Sequence, residues 1–176
     1  MKRIVLPLFA AILFLTLQTT LFASLPIQRL RPDFMLILTL YLGLTYPPIS
    51  GGILAFLMGF LMDLFSGSSL GLFTLTRPFL FYVAQFFKDR FYMEDFSSKF
   101  FYGFIFALSE GLLILLLLNA LNPGPLGHLY PLFFTFLLPQ SFFTGVVTPV
   151  LFYLFDKGFS LLYIGAEWES GKGFRS

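Results

Sequence analysis

The chain alternates between long apolar blocks and short polar or turn-forming clusters. No Lys, Arg, Asp or Glu occurs from Ile4 to Gln28, from Phe34 to Met62 or from Gly111 to Phe155. Apolar stretches above roughly 18 residues mark bilayer-spanning helices, because backbone exposed to lipid must satisfy its own hydrogen bonds. Turn residues divide the blocks into six runs: Ile4 to Leu25, Phe34 to Tyr46, Ile49 to Phe65, Leu70 to Phe87, Phe100 to Leu121 and Leu129 to Phe155. The expected fold is all-α, a polytopic integral membrane protein with six transmembrane helices. It forms one domain over residues 1–156, with a short cytoplasmic tail at 157–176.

Composition narrows the class. Charged residues make up 11% of the 176, against about 25% in a typical soluble domain, and 57% of residues are hydrophobic. A water-soluble globule is excluded. With no Cys there is no disulfide, thiolate metal site or cysteine nucleophile, and the lone His128 leaves little for imidazole chemistry. No catalytic residue, metal site or cofactor is expected, and a net charge of +2 is too small and dispersed for nucleic acid.

Basic residues set the orientation, since cytoplasmic flanks are enriched in them. An N-inside arrangement places Lys2, Arg3, Lys88, Arg90, Lys99, Lys157, Lys172 and Arg175 inside, against Arg29 and Arg31 outside. Both termini are then cytoplasmic. The first run exceeds the roughly 7 to 15 residues of a signal-peptide core and is read as an anchor. The second run reaches only about 20 Å of a roughly 30 Å hydrocarbon core before Pro47 and Pro48. It is either a thin span or half of a re-entrant hairpin with the third run. Two spans are preferred.

Small residues and charges suggest how the helices meet. Gly52, Ala55, Gly59 and Asp63 fall within about 80° on one face of the third run, and Gly103, Ala107, Glu110 and Gly111 share one side of the fifth. Such stripes permit close backbone approach, within the chain or toward a partner. Arg77 lies ~10 Å below the outer end of the fourth run, where a charge is costly and should pair inside protein. It is expected to bridge Asp63, Glu110 or both. The cluster reads as a latch between helices or as a proton or solute path, and the latch is preferred because no second polar layer continues a path. Pro78, Pro139 and Pro149 free the carbonyls of Thr74, Thr135 and Gly145. Ser69 is the expected N-cap of the fourth helix.

The segment from Arg31 to Phe87 resembles the rod shape-determining MreD family. Arg31, Pro32 and Asp33 carry the likeness at the second run. The sequence Gly59, Phe60, Leu61, Met62, Asp63, Leu64, Phe65, Ser66, Gly67, Ser68, Ser69, Leu70, Gly71 carries it between the third and fourth. The resemblance implies a bacterial inner-membrane protein of the elongation machinery for peptidoglycan synthesis, without chemistry of its own. Its implied direct partner is MreC, with the elongation transpeptidase, RodA and MreB in the wider complex and membrane lipid around it. It also implies a fold similar to the substrate-binding subunits of energy-coupling-factor transporters. Arg77 departs from the family, where an apolar residue is expected. The rival to this scaffold is a small-molecule-binding subunit of a membrane transporter. An intramembrane hydrolase would need a nucleophile–base pair or paired metal ligands that are not evident here.

Overall fold

A computed structural model describes residues 7, 10–14, 16, 32–66, 71–88, 95–121, 131 and 133–169, with side chains as far as 158. Five α-helices follow in order: α1 (Phe34–Thr45), α2 (Pro48–Ser66), α3 (Leu72–Phe87), α4 (Phe96–Leu121) and α5 (Leu138–Glu169). A π-helical turn, Phe133–Leu137, leads into α5. No strand occurs among the described residues, and the all-α expectation holds. The described positions of the first run, including Ala10 to Phe14, are also helical, while most of that run lies outside the described residues. Among the described residues, three segments are long and apolar enough to cross a membrane: Pro48–Phe65, Phe96–Leu121 and Phe133–Gly158.

The short second run, now α1, is the axis of the fold. Met35, Leu36, Ile37, Leu38, Thr39 and Leu40 are all fully buried. Helices α2 and α3 pack as one pair, α4 and α5 as another, and both pairs contact α1. Phe14 of the first run adds to its cover, with its ring 5.8 Å from Phe34 and 5.5 Å from Phe155. Hydrophobic matching constrains helices that touch lipid. A 12-residue helix sheathed in protein escapes it, although about 18 Å is well short of a bilayer core.

The start of α3 differs from expectation. Its N-cap is Gly71, at φ 104°, a left-handed conformation that glycine adopts without a Cβ penalty. Ser69 lies outside the described residues. The cap group comes instead from Asp63 near the end of α2. Its carboxylate accepts from the amides of Gly71 (3.0 Å), Phe73 (3.0 Å) and Thr74 (2.8 Å), and from the Thr74 hydroxyl. A carboxylate satisfies orphan amides and complements the positive end of the helix dipole. Gly59, one turn earlier on α2, sits so close to α3 that a Cβ there would collide with the backbone carbonyl of Phe73.

Helix α4 begins at Phe96, four residues ahead of the expected Phe100. Helix α5 continues beyond Phe155, through Asp156 and Lys157, to Glu169. The π turn ends two residues before Pro139, whose missing N–H removes one rung of the helical ladder. The outer surface is apolar: Ile49, Ile53, Phe56, Phe60 and Leu64 line one ridge of α2, and Leu75, Phe79, Tyr82 and Phe86 one of α3. Such an exterior suits hydrocarbon, which solvates these side chains as well as a protein core would.

Candidate functional site

Arg77 occupies the second turn of α3 and has no exposed surface. A buried charge survives in an apolar setting only when paired. Its Nη2 donates to Asp33 Oδ2 at 2.6 Å and lies 3.2 Å from the Met62 sulfur. On the other side, Nε lies 3.2 Å from Glu110 Oε1, close enough for an ion pair but not aligned as a hydrogen bond. The Phe73 ring lies 5.8 Å from the guanidinium carbon. Nη1 is buried without a hydrogen-bond partner.

Asp33 is fixed from three directions. As N-cap of α1 it accepts from the amide of Leu36 through Oδ1 at 2.9 Å. Its own amide donates to Thr144 Oγ1 on α5 at 3.2 Å, and its second carboxylate oxygen takes the guanidinium. The cluster therefore joins α1 through Asp33, α2 through Met62, α3 through Arg77, α4 through Glu110 and α5 through Thr144. Beside it lies a cavity of about 300 Å³, bordered by Asp33, Glu110, Ser141 and Thr144 together with Gln140 and Met62.

The expected pairing is thus met at Glu110 and corrected at Asp63. Asp63 makes no ion pair with Arg77, because its oxygens are taken by the first amides of α3. Asp33 stands in its place. The sequence offered a signal for it: an acid immediately before an apolar run is a natural N-cap. In the N-inside arrangement, α1 and α3 also begin on the same side, which puts Asp33 in the same half of the membrane as Arg77.

Both small-residue stripes face this chain's own helices. On α2, Gly52 lies under the Tyr82 ring, Ala55 is fully buried, and Gly59 and Asp63 meet the start of α3. On α4, Gly103 abuts the Thr148 side chain and Gly111 the Leu137 side chain, with Ala107 and Glu110 buried between them. Gly145 on α5 faces Phe100 and Phe104. Gln85 of α3 donates from Nε2 to the Tyr46 carbonyl at 2.9 Å. Among the described residues, no group of three His, Cys, Asp or Glu side chains is placed to hold a metal.

The family model for rod shape-determining protein MreD matches residues 1–161. No curated protein and no solved structure matches the chain. The expected likeness to energy-coupling-factor subunits therefore rests on the family resemblance alone.

Proposed function

The chain belongs to the MreD family, and from that premise we propose that it is a non-enzymatic scaffold which binds MreC and helps position peptidoglycan synthesis enzymes. Membership makes it a membrane protein of rod shape determination, in a family not known for enzymes. The observation that carries the reading is the family match over nearly the whole chain. The apolar ridges of α2 and α3 support it, since large exposed apolar side chains there suit a partner's membrane helix as well as lipid. In this reading the protein lies in the inner membrane with both termini cytoplasmic. The elongation transpeptidase, RodA and MreB belong to the wider assembly.

Co-purification of the full chain with MreC in mild detergent tests the proposal. Recovery of a stable pair is expected, together with swelling of rods into spheres when the protein is depleted. The second reading, a small-molecule-binding subunit of a transporter, draws on the cavity beside Arg77. It predicts auxotrophy with unchanged cell shape, and that result would displace the scaffold.

A further inference from the structure

We propose that the cavity bordered by Asp33, Glu110, Ser141 and Thr144 binds a ligand through a primary ammonium group, supplied either by a phospholipid headgroup or by a free small amine. At about 300 Å³ it reaches the lower end of the range for small-molecule sites, about 300 to 1,000 Å³. Two carboxyl groups, those of Asp33 and Glu110, share one guanidinium in a low-dielectric surround. Arg77 is committed to Asp33 by the short, aligned bond, so Glu110 is the under-compensated acid. Glu110 is 4% exposed, and its Oε1 accepts no hydrogen bond.

Ser141 supplies an independent sign. It is 1% exposed and borders the same cavity, and among the described residues no hydrogen bond reaches its hydroxyl. Buried polar groups are ordinarily satisfied, and here a carboxylate and a hydroxyl stand open on one cavity. An ammonium offers three donors, enough to meet the open Glu110 oxygen and the Ser141 hydroxyl together. An anion would meet Asp33 and Glu110. For a metal, no group of three His, Cys, Asp or Glu side chains comes together here among the described residues.

The test uses the full chain in phosphatidylcholine nanodiscs, with thermal unfolding followed in methylammonium chloride and in tetramethylammonium chloride at equal ionic strength. Near saturation, methylammonium should raise the midpoint by about 5 °C. Tetramethylammonium, which has no N–H, should leave it unchanged. Glu110→Gln should abolish the methylammonium response, and Ser141→Ala should raise the dissociation constant about fivefold by removing one hydrogen bond. If Glu110→Gln does not fold, Ser141→Ala carries the comparison.

Native mass spectrometry from phosphatidylethanolamine nanodiscs separates the two sources. Retention of that lipid by the wild type, weakened in the variants, identifies a headgroup site; a methylammonium response without lipid retention identifies a free amine. Equal shifts from both salts, or a full response in the variants, would overturn the proposal. So would the absence of both a methylammonium shift and lipid retention. These outcomes do not depend on MreC binding, so failure here and failure of the scaffold reading are distinguishable.

Discussion

Arg77 Nη2 stands 2.6 Å from Asp33 Oδ2, while its contact with Glu110 is longer and unaligned. The two acids are therefore unequal partners. Removing one side of a buried, hydrogen-bonded pair costs about 3–5 kcal/mol, because the other charge is left uncompensated. Asp33→Ala should fall in that range and also lose the α1 cap. Glu110→Gln keeps the shape of the side chain and leaves Arg77 neutralised by Asp33, so it should cost about 1 kcal/mol or less. Arg77→Met alone should be as damaging as Asp33→Ala, and the triple change Arg77→Met, Asp33→Asn, Glu110→Gln should recover most of the loss. Unfolding midpoints in detergent provide the comparison. Equal losses for the two acid variants would refute the ranking.

The cap donated by Asp63 gives a second prediction. Losing an N-cap acceptor costs about 0.5–2 kcal/mol, and here one carboxylate serves three amides and a hydroxyl. Asp63→Ala should reach the top of that range, with Asp63→Asn in between because one oxygen remains. Hydrogen exchange at the Phe73 and Thr74 amides should accelerate in both variants while the amides of α4 stay unchanged. Exchange that accelerates everywhere equally would point to general loosening in place of a local cap.

Two glycines predict effects of opposite sign. A Cβ at Gly59 meets the Phe73 carbonyl, which is backbone and cannot rotate away, whereas a Cβ at Gly158 meets nothing within 4 Å. Overpacking of this kind costs about 1–3 kcal/mol, so Gly59→Ala should destabilise the α2–α3 pair. Gly158→Ala, in the interior of α5, should be neutral or stabilising by up to about 1 kcal/mol through helix propensity. Parallel thermal melts decide it, and a neutral Gly59→Ala would mean that the two helices do not approach this closely.

The residues that were legible in the sequence share one property: their effect is local to a helix. The apolar runs marked α1 to α5 because a bilayer imposes length and hydrophobicity on each span separately. The stripes ending in Asp63 and Glu110 were visible because four residues on one helix face follow from periodicity alone. The pairing was only partly legible, since choosing among acids for Arg77 requires relative depth and rotation of different helices. Asp63 illustrates the difficulty. Its chain position made it the natural candidate for Arg77, yet the first amides of α3 take its oxygens before any guanidinium does. The burial of α1 was hidden for a different reason, because its uniformly apolar surface gives no sign of whether lipid or protein surrounds it.

That enclosure bears on whether the second run crosses the membrane. The Tyr46 carbonyl, just past α1, accepts from Gln85, three residues before Lys88, and Tyr41 Oη donates to Asp156 Oδ1 at 2.8 Å, beside Lys157. The turn between α1 and α2 therefore lies level with the basic end of α3 and with the Asp156–Lys157 step of α5. A re-entrant hairpin would place it near the middle of the bilayer. A span places it at the cytoplasmic face, where Lys88 and Lys157 favour being. Because the chain has no cysteine, Thr45→Cys adds a single exposed label site at that turn. A membrane-impermeant maleimide should react with it in inside-out vesicles and not in intact spheroplasts. Reaction from the outside would reverse the orientation, and resistance from both sides would restore the hairpin.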